Sequence, residues 1–192
     1  MIDSNGYRSN VGIVLCNDQG RVFWARRIGS DSWQFPQGGF KKDENSEQAM
    51  YRELHEETGL HKNHVEVIGR TSKWLHYDLP ERYIRKNSHP LCIGQKQLWF
   101  LLRLVADESN VCLNSSHQPE FDDWCWIDYW MPVNDVVFFK REVYQHALNE
   151  LGQYLIPDSV PINAEGYLAN PQSSDSKQDQ RVTTFSKLRD CL

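Results

Sequence analysis

"GGFKKDENSEQAMYRELHEETGL", from Gly38 to Leu60, brings Glu53, Glu56 and Glu57 into one turn of an expected helix. Residues three and four apart share a helix face, and like charges there cost a few tenths of a kcal/mol per pair. No lysine or arginine follows any of the three at i+4: Glu53 meets Glu57, Glu56 meets Leu60 and Glu57 meets His61. A solvated acidic face is the plain alternative. Two features argue for a ligand instead. The Gly38–Gly39 pair just upstream lets backbone approach a bound group closely. A hard divalent cation wants several carboxylate oxygens and would remove the repulsion, and Mg²⁺ in particular is held by carboxylates together with substrate phosphates. Asn45 and Gln48 make a capping box for the helix, and Gly59 is placed to end it.

Around this stretch the chain reads as mixed strands and helices. "NVGIVLC" (Asn10 to Cys16) and "RVFWARR" (Arg21 to Arg27) flank the turn "NDQG" and read as a hairpin. "WQFPQGG" reads as a strand entering a loop, and "HVEVIGRTSKWLHYDL" as strand material with a bend. "LCIGQKQLWFLLRLV" and "DDWCWIDY" supply further strands, and "FKREVYQHALNELGQYL" has helical periodicity. The expected class is α/β, with a mixed sheet and one domain over residues 1–156. From about Pro157 the composition turns polar, and residues 157–192 read as a flexible tail.

The 192 residues are 40% hydrophobic and 24% charged, enough for an ordinary core. The net charge of −5 argues against coating nucleic acid through a broad basic surface. It leaves room for gripping one nucleic-acid end with a few cations, and for a divalent metal. Five scattered cysteines without a CxxC pair suggest neither a disulfide framework nor a zinc site. No apolar run spans a membrane and the start has no signal-like pattern, so a cytoplasmic location is expected. The seven histidines form no ligand-like pair and receive no role.

Gly38, five residues, Glu44, seven residues and "RELHEETGL" together resemble the Nudix box at all nine of its specified positions. The resemblance implies a Nudix hydrolase: an α/β/α sandwich with a loop-helix-loop that holds Mg²⁺ or Mn²⁺ and cleaves nucleoside diphosphate derivatives. It implies Glu53, Glu56 and Glu57 as metal ligands, with the Gly38 carbonyl as a further candidate. Glu44 and Arg52 would brace loop against helix as an ion pair, with Gly59 closing the box and Leu54 facing the core.

Outside the box, "GYRSNVGIVLCNDQGRVFWARR", "SWQFPQGG", "CIGQKQLWFLL", "PEFDDWCWIDYW" and "VVFFKREVY" look like the bacterial RNA pyrophosphohydrolases of that family. This likeness spans roughly residues 2 to 155. It implies conversion of a 5′-triphosphate or 5′-diphosphate RNA end to a monophosphate, with dinucleoside polyphosphates as the alternative substrate. It also implies Arg8, Arg27 and Lys140 as phosphate-binding cations and Glu120 as a further metal ligand or water-activating base. The general base would be Glu57 or Glu120. Arg26 should point away from Arg27 by strand alternation. Single-stranded RNA is read by stacking and by contacts to exposed base edges, so Phe139 and Tyr77 are candidates for stacking and the Val137 backbone for a base contact. Trp24, Trp33, Trp99 and Trp126 are assigned to packing. Arg82, Arg85 and Lys86 in "ERYIRKNSH" could steer RNA electrostatically, although an exposed loop explains them equally well. A non-catalytic nucleotide-binding module is the rival of another class, and the complete set of box glutamates argues against it.

Overall fold

The structure, a computed structural model, describes residues 2–87 and 89–155. The expected tail at 157–192 lies outside the described residues. One mixed sheet runs through the molecule in the order β3 (Trp33–Gln34), β2 (Val22–Arg27), β1 (Tyr7–Cys16), β7 (Gly94–Leu104), β5 (Val65–Arg70). Its centre is β1 (Tyr7–Cys16) lying parallel to β7 (Gly94–Leu104), registered over ten residues from Tyr7 opposite Gly94 to Cys16 opposite Arg103. Parallel central strands are buried on both faces, and both strands are accordingly rich in apolar residues.

Alternation sorts those residues into two cores. Val11, Ile13 and Leu15 of β1, with Phe100, Leu102 and Leu104 of β7, pack under Ala49, Met50 and Leu54 of α1 (Ser46–Thr58). Val14, Cys16, Trp99 and Leu101 face the other way, against Val143, Tyr144, Ala147, Leu148 and Leu151 of α3 (Arg141–Gly152). The result is the expected α/β/α sandwich. A short α2 (Met131–Asp135), which periodicity does not reveal, leads toward α3.

The expected hairpin forms only at its tip. β1 and β2 (Val22–Arg27) share one registered pair, Cys16 with Val22. β2 then pairs with β8 (Phe121–Ile127) and with β3 (Trp33–Gln34). The vacated edge of β1 is taken by β4 (Gln37–Gly39), with Val11 opposite Gly38, and Ile13 N–H donates to the Pro36 carbonyl at 2.9 Å. "WQFPQGG" is therefore two strands, because Pro36 has no N–H to continue a ladder. This arrangement seats the glycine pair beside the central strand, directly before the loop into α1.

The bent segment also divides. β5 (Val65–Arg70) and β6 (Leu75–Asp78) both pair antiparallel with β7, at its C-terminal and N-terminal halves respectively. Thr71 sits at the bend: its Oγ1 accepts from Trp99 N–H, and its own N–H donates to the Trp99 carbonyl. The four cysteines among the described residues are free thiols. No helix among the described residues is long and apolar enough to cross a membrane.

Gly12 faces Trp99 across the parallel pair, and a Cβ there would lie 2.5 Å from the fully buried indole. Gly12→Ala should therefore cost about 1–3 kcal/mol by overpacking. In a Trp99→Leu background the same change should cost clearly less. A double-mutant cycle from urea denaturation checks this; additive effects would show that the indole is not the obstacle.

Candidate active site

The loop-helix element is built around Arg52, whose side chain is only 17% exposed. Its Nε and Nη2 donate to the two Glu44 oxygens at 2.5 and 2.8 Å, a bidentate fork, and Nη2 also donates to the Gly39 carbonyl at 2.8 Å. Its Nη1 donates to Glu53 Oε1 at 2.6 Å and to Glu56 Oε2 at 3.0 Å. Lys41, which sequence reasoning missed, donates from Nζ to Glu56 Oε1 at 2.9 Å. Much of the carboxylate repulsion is thus met from within the protein. Arg52 lies four residues before Glu56 rather than after it, and Lys41 reaches back only through the loop. No local pattern marks Lys41.

The helix ends are as expected. Asn45 Oδ1 accepts from Gln48 N–H and Gln48 Oε1 accepts from Asn45 N–H, both at 2.9 Å. Gly59 takes φ 73°, a left-handed conformation that favours glycine, and its N–H caps the His55 carbonyl. Leu54 is fully buried, as expected.

Glu53, Glu56, Glu57 and Glu120 line one cavity of about 480 Å³. Glu57 is 3% exposed; its Oε2 accepts from Gln37 N–H at 2.9 Å, while its Oε1 is buried without a hydrogen-bond partner. Burial first, then the nearby Glu120 and Glu53 charges, pushes the Glu57 carboxyl well above its ordinary value. Burial likewise raises Glu53. Burial also opposes the charge on Glu56, but hydrogen bonds from Lys41 and Arg52 outweigh it and hold that carboxyl below its usual value. Gly38 meets the Glu53 carboxylate directly; a Cβ there would lie 1.9 Å from the carboxyl carbon.

Among the described residues, no three of His, Cys, Asp and Glu stand ready-made around a metal position. The donor chemistry nevertheless suits a hard divalent cation. The four glutamates offer only oxygen ligands, and one buried carboxylate oxygen, Glu57 Oε1, has no hydrogen-bond partner.

Lys140 is 7% exposed, and its Nζ donates to Gln34 Oε1 at 3.1 Å. Burial and then the neighbouring Arg27 bring its pKa down to about 8, against the opposing pull of Glu57 and Glu120. Arg27 Nη2 stands 4.0 Å from Glu120 Oε2, and both side chains are half exposed. Arg26 turns away to pair with Asp122 at 2.8 Å. Arg8 is exposed and lays its guanidinium over Gly39, where a Cβ would meet it at 2.4 Å.

The aromatics separate. Phe139 is half-buried, whereas Tyr77 is 6% exposed and belongs to the core, its ring 5.8 Å from that of Phe139. Tyr77 is therefore a wall behind Phe139 and not an open stacking face, because β6 turns it inward. The Val137 carbonyl accepts from Lys140 N–H. Trp24 and Trp99 are buried, and Trp33 and Trp126 pack against the two cores.

The family model described as NUDIX domain matches residues 6–150. A curated protein named RNA pyrophosphohydrolase from Methylococcus capsulatus is 63% identical over 155 residues, covering 81% of this chain and 81% of that protein. One of the same name from Haemophilus influenzae is 50% identical over 187 residues, covering 97% and 95%. Among solved structures, a C. elegans Ap4A hydrolase binary complex superposes with TM-score 0.57 at 17% identity, over 78% of this chain and 98% of that one. An E. coli dihydroneopterin triphosphate pyrophosphohydrolase gives 0.55 at 19%, over 73% and 95%. At such identity these two speak for the fold alone.

Arg52, then the Lys41 N–H, brings the Glu44 carboxyl from 4.5 down to about 2, although burial works against this. A depressed pKa contributes stability that is complete above 4.5 and is lost as pH falls toward about 2. Glu44→Gln should thus be less stable than wild type at pH 7, with the two curves converging between pH 4.5 and 2, as thermal melts across that range would reveal. Arg52→Ala should cost about 3–5 kcal/mol in urea denaturation, since it strands two mostly buried carboxylates.

Proposed function

The chain belongs to the NUDIX family, and from that premise we propose that it is an RNA pyrophosphohydrolase, trimming the 5′-triphosphate or 5′-diphosphate end of RNA to a monophosphate. It is a pyrophosphohydrolase acting on phosphoanhydride bonds. The trimmed end would open the transcript to 5′-end-dependent decay, and the proposed setting is the cytoplasm. The observation carrying the proposal is that Glu57 and Glu120, which line the carboxylate cavity, have the cations Arg27 and Lys140 as neighbours: Arg27 stands 4.0 Å from Glu120, and both glutamate charges act on Lys140. Oxygen ligands for a metal and cations for phosphate thus lie side by side.

Glu53, Glu56, Glu57 and Glu120, with the Gly38 carbonyl, would hold a divalent cation, which we take to be Mg²⁺ or Mn²⁺. When bound, such an ion neutralises phosphate charge and acidifies a coordinated water. Arg27, Lys140 and Arg8 are the side chains we assign to the phosphates. Lys140 is held by Gln34, and its buried charge is little screened, so it acts strongly on an anion brought beside it. A carboxylate must accept the proton of the attacking water, and Glu57 and Glu120 are the candidates. Phe139 is assigned to stack a base near the 5′ end and the Val137 backbone to contact one. Arg52, Glu44 and Gly59 serve the shape of the element that presents the glutamates.

Glu57→Gln and Glu53→Gln should lower turnover roughly 10²–10⁴-fold while leaving the thermal melt cooperative. The test uses 5′-triphosphorylated RNA with an unpaired end, assayed with and without Mg²⁺ beside diadenosine tetraphosphate. Faster metal-dependent formation of monophosphorylated RNA is expected. Cleavage of the dinucleotide alone would retain the chemistry and move the function to dinucleoside polyphosphate hydrolysis.

A further inference from the structure

Phe139 does not end at the phosphate site. Its ring lies 5.8 Å from Tyr77 on one side, and 5.5 and 5.4 Å from Tyr83 and Phe138 on the other. Lys140 Nζ stands 5.9 Å from the Tyr77 ring centre, so the row begins beside one of the cations assigned to phosphate. It runs outward to two rings that are not packed away: Tyr83 is 51% exposed and Phe138 59%. The Arg82 guanidinium lies 5.0 Å from the Tyr83 ring centre and 6.0 Å from that of Phe138. The three side chains come from two separate 3₁₀ turns, Glu81–Tyr83 and Phe138–Lys140.

Two exposed rings beside a guanidinium are costly to leave in water unless something covers them. Beside them is an open cavity of about 800 Å³ lined by Pro80, Glu81, Arg82, Ile84, Lys86 and Phe138. Its one carboxylate, Glu81, is taken by Lys86 at 2.8 Å, whereas Arg82 stands against rings. A planar cation over aromatic faces, beside a net positive hollow and joined to Phe139 by ring contacts, matches how single-stranded nucleic acid is held: stacking for bases, cations for the backbone.

We propose that Arg82, Tyr83 and Phe138 form a second nucleotide platform, outside the phosphate site, that stacks an unpaired base downstream of the RNA 5′ end. This rests on the RNA pyrophosphohydrolase reading and deepens it by naming the side chains that meet a base beyond the phosphate site. A 5′-triphosphorylated dinucleotide would end before the platform, and a longer single strand would reach it.

The test compares full-length wild type with Tyr83→Ala and Phe138→Ala on a triphosphorylated dinucleotide and on a triphosphorylated RNA with eight unpaired 5′ nucleotides. Each variant should raise KM for the long RNA about tenfold, the loss of one stacking contact, with kcat little changed. KM and kcat on the dinucleotide should remain at wild-type values, which also shows that the variants fold. Tyr83→Trp should restore the long-RNA KM. Equal losses on both substrates would place these rings in the phosphate site or the fold and overturn the platform. Unchanged KM on both would overturn it as well, leaving the patch to a protein partner. A wild type that cuts neither RNA but cleaves diadenosine tetraphosphate would instead remove the RNA reading, and the platform with it.

Discussion

One guanidinium organises the candidate site. Arg52 grips Glu44 and the Gly39 carbonyl on the loop side, and Glu53 and Glu56 on the helix side. A flat fork of donors can satisfy several acceptors in a single plane, which the point charge of a lysine cannot. The grip sets the distance between the glycine pair and the glutamates. It also offsets the mutual repulsion of Glu44, Glu53 and Glu56. Remove it, and the loop loses its tie to α1 while Glu44 and Glu53 keep their charges in poorly solvated positions.

The sheet determines where that element sits. Because β2 leaves β1 after a single pair, β4 can dock on β1 and hold Gly38 opposite Val11. Close packing does the rest: Gly38 leaves no room between backbone and the Glu53 carboxylate, and Gly39 none below Arg8. β8 runs beside β2 and begins just after Glu120, so the same departure of β2 brings Glu120 and Arg27 together. Lys140 arrives from the far layer, through the turn before α3, and is held by Gln34. Segments far apart in the chain therefore come together around the glutamates, and the sheet is what they share.

Local features were plain in the chain. The Asn45–Gln48 cap, the Gly59 stop and the i, i+3, i+4 glutamates are short-range patterns, and helices obey short-range rules. Strand existence was also legible from apolar runs. Pairing partners were not: the β1–β2 turn promised a full hairpin, but competition from β4 and β8 split it. Tyr77 looked like a stacking candidate because composition cannot tell an inward ring from an outward one. Lys41 went unnoticed because its partner, Glu56, lies fifteen residues on, across a loop.

The sequence by itself determined the loop-helix element, its acidic face, the mixed α/β class and the family resemblance, since each is written in spacing over a few residues or in a motif. Only the tertiary structure decided which cations face those acids, which aromatics stay exposed, and that Arg82, Tyr83 and Phe138 share a surface with Phe139. The reason is range. Periodicity and caps act within a turn or two of chain, whereas burial, charge pairing and ring contacts depend on segments separated by dozens of residues that only the folded sheet brings together.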